Sequence, residues 1–284
     1  MARHPADSPP PCRQRFARLV SRPETAIDLA EAALVIAQEE YPELEVARYL
    51  SCLDEMGAEV RARVAPAEDP HRLIAALGDY LFRDQGFHAN TDDYYDPRNS
   101  FLNDVLDRRI GIPITLSTVY LEVGRRLGLR LHGVGMPGHF LVKYAGPDEE
   151  IVIDPFSGGA LVSHAECQRI LDRSYHGKVA FEPRFLATVR TRQILTRMLN
   201  NLKAIYFKKQ GFAKALSVVE RLLILEPGSA TEVRDRGLVL SQLKRYPEAT
   251  ADLERYLKLA LGAEDSEVIS DHLRSIRQRV ASMN

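Results

Sequence analysis

Cysteine and long apolar runs are both scarce in this chain of 284 residues. Its three cysteines, Cys12, Cys52 and Cys167, show neither a CxxC spacing nor an even-numbered framework. This usage argues against a zinc site and favours a reducing cytoplasm. The longest apolar run, residues 32–37, is far shorter than the ~18 residues that a membrane-spanning helix needs. We therefore expect a cytoplasmic protein with no metal, no other cofactor and no membrane contact.

A dense run of one charge is also missing. Lys and Arg number 38 against 39 Asp and Glu, which gives a net charge of −1. The charges are nevertheless segregated, because residues 184–284 hold 18 basic and 11 acidic side chains. No basic stretch is dense enough to predict nucleic-acid binding. The positive C-terminal region instead favours an acidic partner, or the acidic remainder of the same chain.

The length and composition predict two domains. With 45% apolar and 27% charged residues, the chain is globular in composition and long enough to bury a core without disulfide or metal staples. Residues 1–20 carry arginines and prolines but no apolar segment, which predicts a disordered tail rather than a secretory signal. Residues 21–183 are predicted to form a helical cap with an α+β domain, and residues 184–284 an all-α repeat domain.

Turn residues and apolar periodicity define the predicted α+β domain. Amphipathic helices are expected between residues 22 and 82, before a long loop at 85–100. Pro113 then opens a helix that Gly128 ends. The strand-like runs, separated by turns that contain Gly and Pro, are residues 129–136, 139–144 and 151–154. This order predicts a helix packed on a short antiparallel sheet.

The C-terminal region repeats with a period of 34 residues. The displacement aligns Phe212 with Tyr246 and Ala215 with Ala249. Such a period, with a small residue at the contact between two helices, describes the tetratricopeptide repeat. Only two full units are visible, and a helix pair cannot bury its apolar face alone. Flanking helices at 189–199 and 268–280 are therefore predicted to act as caps.

His139 and Asp154 are the leading candidates for chemistry. His139 follows a Pro-Gly turn at the start of a predicted strand, and Asp154 ends the next strand, directly before a proline. With the preceding helix, residues 101–159 resemble the transglutaminase-like superfamily, a papain-related core. The resemblance implies a Cys at the helix N-terminus, activated by a His that an Asp orients.

The position at which that superfamily places its nucleophile is occupied by Pro113, counting back from Leu127 and Gly128. None of the three cysteines is an obvious replacement. Ser117 lies one helical turn further along, displaced by about 6 Å, where the field of the helix N-terminus no longer acts. The sequence therefore indicates a retained His–Asp pair without a thiol, with Ser117 as the less favoured nucleophile.

Four strings of sequence extend the resemblance. They are residues 93–100, 111–117, 137–141 and 153–156. Together they are similar to the bacterial SirB-type family, which joins this core to C-terminal tetratricopeptide repeats. The resemblance then covers about residue 26 to the C-terminus. A related core in certain eukaryotic F-box proteins implies that it can serve in protein recognition.

The residues predicted to line a pocket with His139 and Asp154 are Tyr94, Tyr95, Asn99, Asn103 and Pro113. Two interpretations of this set remain open. The His–Asp pair either helps to bind a polar ligand or a peptide end, or it is kept because an unpaired buried imidazole would be costly. Asn103 is likewise either a donor to an oxyanion or a support for the loop.

Two functions compete on this sequence. The first is a non-catalytic scaffold or regulator, a pseudoenzyme whose repeats hold a protein or peptide partner. The second is a papain-like hydrolase or acyltransferase in which His139 and Asp154 activate a water or Ser117. Pro113 at the nucleophile position favours the first.

Overall fold

A computed structural model of the protein describes residues 10–64, 69–147 and 149–282. The chain forms two compact units, Met1–Met198 and Leu199–Asn284. The first unit combines helices with a five-stranded sheet, whereas the second is helical. This confirms the predicted fold class, an α+β domain followed by helical repeats.

The chain forms helix α1 (Pro11–Val20) where a disordered tail was predicted. That prediction is therefore wrong for the second half of residues 1–20, and residues 1–9 lie outside the described residues. Pro11 suits a first helical turn, and Phe16, Leu19 and Val20 are buried. A helix this short is marginal by itself, so burial of this apolar stripe is what stabilises it.

Three helices follow in the region where apolar spacing predicts them. They are α2 (Leu29–Ala37), α3 (Val46–Val64) and α4 (Pro70–Gly78), and a π-helical segment, Asp79–Asp84, continues α4. The side chains of Asp28 and Asp69 cap α2 and α4 by accepting hydrogen bonds from backbone N–H groups of the first turn.

Helix α6 (Pro113–Arg126) is the centre of the first unit. A pair of two-residue parallel strands, β1 (His88–Ala89) and β2 (Ile110–Gly111), and helix α5 (Leu102–Arg108) precede it. Helices α2 to α5 and the main sheet pack against α6. Its buried residues include Ser117, Thr118 and Glu122, so α6 is enclosed on nearly all sides rather than on one apolar stripe.

The inner strands of the main sheet, β3 (Leu131–Val134), β4 (Leu141–Ala145) and β5 (Glu150–Asp154), match the three predicted runs. The outer strands, β6 (Ala160–Leu161) and β7 (Thr188–Val189), were not predicted. The sheet is antiparallel, with the strand order β6-β5-β4-β3-β7. Strands of two residues are too short to show an alternating pattern.

The two units divide after Met198, not at residue 184 as predicted. β7 pairs with β3, and Leu186 joins a buried cluster with Met136 and with Leu171 of helix α7 (His164–Tyr175). These contacts hold the segment before Met198 within the first unit. They join residues far apart in sequence, so the local pattern gave no sign of them.

The second unit is built from helices of the predicted repeats. Helix α8 (Thr191–Lys208) crosses the division, so the predicted cap at 189–199 is not a separate helix. The other helices are α9 (Phe212–Leu225), α10 (Ala230–Gln242), α11 (Tyr246–Leu259) and α12 (Ser266–Ala281). A Cβ at Gly237 of α10 would lie 2.8 Å from the Leu253 side chain of α11. Glycine therefore permits the close approach of these two helices.

Candidate functional site

Strands β4 and β5 bring His139 and Asp154 together. The strands are antiparallel with Val142 opposite Ile153, so residues just before β4 lie beside the end of β5. His139 Nε2 donates a hydrogen bond of 3.0 Å to Asp154 Oδ1. Both residues are buried, with 8% and 1% of their surface exposed. The two predicted residues therefore form one buried, hydrogen-bonded pair.

Asp154 is surrounded by hydrogen-bond donors. Besides His139, the backbone N–H of Phe156 donates to Oδ1 at 3.0 Å, and the Ser157 hydroxyl donates to Oδ2 at 2.7 Å. Burial alone would raise the pKa of this carboxyl group, but the donors, His139 first among them, favour the charged form. The pKa of Asp154 consequently lies below its usual value, and the group is a carboxylate at neutral pH.

The carboxylate determines which imidazole nitrogen is available. Because Asp154 accepts a hydrogen bond from Nε2 of His139, Nε2 carries a proton and Nδ1 is the nitrogen left for another group. The Phe156 ring meets the imidazole nearly at right angles, with 5.7 Å between the ring centroids. The pair can act as a general base only toward a group placed at Nδ1.

The first turn of α6 carries a proline in place of a nucleophile. Pro113 is buried at the start of this helix. The Thr115 hydroxyl accepts a hydrogen bond from the Ile112 backbone N–H at 3.1 Å and donates one to the Asn99 carbonyl at 2.7 Å. These bonds fix the start of α6 and attach the preceding loop to it.

Within the described part of the chain, the Ser117 hydroxyl is hydrogen-bonded to a backbone carbonyl and not to the imidazole. Ser117 is fully buried, and its hydroxyl donates to the carbonyl of Phe140 at 3.4 Å. A serine nucleophile needs its hydroxyl within hydrogen-bond reach of the base. Cys167 lies in the core cluster beside the sheet, where burial raises the pKa of its thiol. A raised pKa is the opposite of what a nucleophilic cysteine needs.

Asn99 holds its own loop. It is fully buried, and its Nδ2 donates to the carbonyls of Asp93 and Tyr94 at 2.8 and 3.3 Å. Its Oδ1 accepts a hydrogen bond from Asn90 at 3.1 Å. The amide is therefore used within the loop, and the predicted role of Asn99 in lining a pocket stays a prediction.

The remaining predicted lining residues lie in different surroundings. Asn103 is 5% exposed, and its amide oxygen has no hydrogen-bond partner within the described part of the chain. Its predicted role as an oxyanion donor or loop support stays a prediction. Tyr94 and Tyr95 are on the surface, 40% and 51% exposed, and their rings meet edge-to-face at 5.4 Å.

A pocket of about 450 Å³ opens beside Asp154. Strand β6 and helix α7 form its walls, with Ser157, Ile170, Arg169 and Arg173 among the lining residues. Asp154 is the one residue of the predicted lining set that borders this pocket. The loop at 85–100 does not border this pocket, and its predicted role as a wall of the site stays a prediction.

Arg197 is a residue near the pair that the sequence did not reveal. It lies on α8 within the first unit, and its Nη2 donates to the His139 carbonyl at 2.7 Å. Its Nη1 donates to the Met136 carbonyl at 3.3 Å, and its guanidinium carbon lies 5.4 Å from the centroid of the Phe140 ring. No motif surrounds Arg197, and it follows His139 by 58 positions.

Two further findings concern only the described residues. No group of three or more His, Cys, Asp or Glu side chains among them is placed to hold a metal ion. No helix within these ranges combines the length and apolar character that crossing a membrane requires.

Known proteins match both parts of the chain. Residues 47–200 match the family model of the transglutaminase-like superfamily, and residues 202–274 match a tetratricopeptide repeat model. A UPF0162 protein of Xylella fastidiosa (strain Temecula1) is 38% identical over 254 residues, covering 88% of this chain and 90% of that protein. A UPF0162 protein of Pseudomonas aeruginosa is 32% identical over 236 residues, with coverage of 82% and 84%. The UPF0162 protein YchA of Escherichia coli K12 is 28% identical over 245 residues, with coverage of 84% and 88%.

Proposed function

Since this chain belongs to the transglutaminase-like superfamily, and to the UPF0162 proteins within it, we propose that it is a non-catalytic member that acts by binding other proteins. The observation that carries this proposal is the start of α6. Pro113 stands where the family resemblance places the nucleophile, and the nearby Ser117 hydroxyl is bonded to a backbone carbonyl. A His–Asp pair without a nucleophile cannot form an acyl intermediate.

In this proposal the His139–Asp154 pair is structural. It satisfies a buried imidazole and a buried carboxylate, each of which would otherwise cost about 1–3 kcal/mol or more. It also ties the turn before β4 to the end of β5.

The repeat region supports the binding part of the proposal. Stacked helix pairs of this kind form an extended surface on which a peptide or a helix can lie. We therefore place a protein or peptide partner on the repeats. Part of the positive charge of this region is already neutralised by ion pairs within it, because Arg236 pairs with Asp252 and Arg277 with Glu254. An acidic partner and the narrower SirB-type assignment stay predictions.

A turnover assay tests the absence of catalysis. The full chain and its His139→Ala variant are incubated with a panel of peptides and activated esters, and product formation is followed by mass spectrometry. We expect the same background rate for both proteins and for buffer. Turnover that His139→Ala and Asp154→Ala both abolish, in variants that remain folded by circular dichroism, would show that the pair is catalytic.

Cross-linking tests where the partner binds. Proteins captured from a bacterial lysate by the full chain are treated with a lysine-reactive cross-linker and identified by mass spectrometry. We expect cross-links at lysines of the repeat region, such as Lys214, Lys244 and Lys258. Lys178 of the first unit is the control, because it is exposed like the three lysines of the repeats. Cross-links confined to Lys178 would contradict a partner site on the repeats.

A further inference from the structure

Neutral groups hold the Arg197 side chain in place. Its two Nη atoms donate to the backbone carbonyls of His139 and Met136, and its guanidinium faces the ring of Phe140. These contacts fix the position of the guanidinium. They leave its full positive charge without an opposite charge, because a carbonyl and a ring supply only a dipole and a quadrupole.

No carboxylate among the described residues forms an ion pair with Arg197, although the side chain is half-buried. Burial accordingly lowers the pKa of this arginine. Arg126, in contrast, pairs with Glu122 at 2.8 Å. Arg109 resembles Arg197, since it forms no ion pair within the described ranges and donates to the amide oxygen of Gln85. Taking a cation out of water without a counter-charge is costly, so an unpaired arginine such as Arg197 is suited to an anion supplied from outside.

A tyrosine lies at the turn that this unpaired cation contacts. A Cβ at Gly138 would lie 2.8 Å from Ser174 and 3.2 Å from the Tyr175 ring, and Tyr175 is 36% exposed. Arginine and tyrosine are among the side chains that most often dominate binding surfaces. The phenol of Tyr175 can therefore donate a hydrogen bond to a group bound at this turn.

We propose that Arg197 and Tyr175, here called the Arg197 site, bind a carboxylate group of a polypeptide partner. A guanidinium matches the two oxygens of a carboxylate, and its anchored Nη atoms reduce the entropy lost on binding. A phosphate group fits less well, because no second Arg or Lys of the described residues contacts the guanidinium to balance its larger charge. The exposed ring of Tyr175 provides apolar surface for the neighbouring part of the peptide. The proposal concerns the first unit and does not depend on what the repeats hold.

Three fluorescently labelled peptides provide the probes. The first is Ala-Phe-Ala with a free C-terminal carboxylate, the second is Ala-Glu-Ala with an amidated C-terminus, and the third is amidated Ala-Phe-Ala, which has no carboxylate. Binding to the full chain is measured by fluorescence anisotropy at low salt. We expect at least one carboxylate peptide to bind about tenfold or more tightly than the uncharged peptide. If the peptide with the free C-terminus binds, the carboxylate recognised is that of a chain terminus. If the amidated Glu peptide binds, it is that of an acidic side chain.

Variants of Arg197 test whether this site is responsible. Arg197→Met keeps the length of the side chain and removes its charge, so we expect the carboxylate preference to disappear. Arg197→Lys keeps the charge without the planar fork, and we expect an affinity several-fold below that of the wild type. Arg192→Met is the matched control on the same helix, because Arg192 already pairs with Glu24. It should bind like the wild type.

Clear outcomes overturn the proposal. They are equal binding of the charged and uncharged peptides, no binding of either carboxylate peptide up to about 1 mM, or a folded Arg197→Met variant that keeps the preference. If Arg197→Met does not fold, Arg197→Lys and Tyr175→Phe take its place, and wild-type affinity in both would contradict the site. Carboxylate binding that survives Arg197→Met would lie elsewhere, which refutes this site and leaves the proposed role of the repeats intact.

Discussion

Two half-buried arginines, Arg236 in the second unit and Arg197 in the first, have opposite surroundings. Arg236 forms a two-pronged ion pair with Asp252, through hydrogen bonds of 2.6 and 2.7 Å, and this contact raises its pKa. Arg197 donates to two backbone carbonyls and faces the Phe140 ring, and burial lowers its pKa. The second unit therefore neutralises the charge of Arg236 internally, whereas the first unit leaves the charge of Arg197 to a ligand.

The largest loss of stability should follow from breaking the ion pair between Arg236 and Asp252. Asp252→Ala leaves Arg236 partly buried without its partner, and we expect a loss of about 3 kcal/mol in the free energy of unfolding of the repeat unit. Urea unfolding followed by hydrogen exchange of α10 and α11 measures it. The double variant Arg236→Met with Asp252→Ala should recover much of the loss, since no charge then remains unpaired. A loss in the double variant as large as in Asp252→Ala would show that packing, not charge, dominates.

A smaller loss of stability is expected when the buried carboxylate of Asp154, in the first unit, is removed. Asp154→Asn removes the charge that three donors stabilise, and we expect a loss of about 2 kcal/mol at neutral pH. The pKa of folded Asp154 is lowered, so its contribution is present above the unfolded value of about 4 and is lost as the pH falls through the folded pKa. The difference in the free energy of unfolding between wild type and variant should therefore become smaller in acid. Urea unfolding at a series of pH values measures this difference. A value that stays constant down to pH ~2 would contradict the prediction.

The smallest change in stability should follow from substituting Arg197. Arg197→Met removes an unpaired charge, which is favourable, and leaves two carbonyls without their donor, which is unfavourable. These opposing effects should leave a net change below about 1 kcal/mol in the free energy of unfolding. Thermal and urea unfolding measure it beside Arg236→Met, which should cost more because it leaves Asp252 unpaired. If Arg197→Met costs as much as Arg236→Met, the contrast between the two arginines fails.

The sequence predicted those parts of the molecule that depend on local periodicity and on motifs. The three inner strands and the helix that Pro113 opens follow from apolar spacing and turn residues. The hydrogen bond between His139 and Asp154 follows from the placement of both residues on neighbouring strands.

Contacts between distant residues could not be predicted. Asn99 is a residue type that often lines pockets, but its amide donates hydrogen bonds to carbonyls of its own loop. Only the folded loop shows these bonds. Arg197, on helix α8, donates a hydrogen bond to the carbonyl of His139. No sequence pattern at either position predicts this contact. The sequence did not reveal α1, because arginines and prolines dominate the composition of residues 1–20, while three buried apolar residues stabilise the helix.

The two-residue strands at the borders of the main sheet have a consequence for self-association. β6 and β7 flank the longer inner strands, so each outer rim offers very few unpaired backbone groups in strand geometry. Short rims are poor templates for adding a strand from another molecule. This sheet is thereby protected against growing from chain to chain into aggregates, even though its inner strands are rich in Val, Leu and Ile.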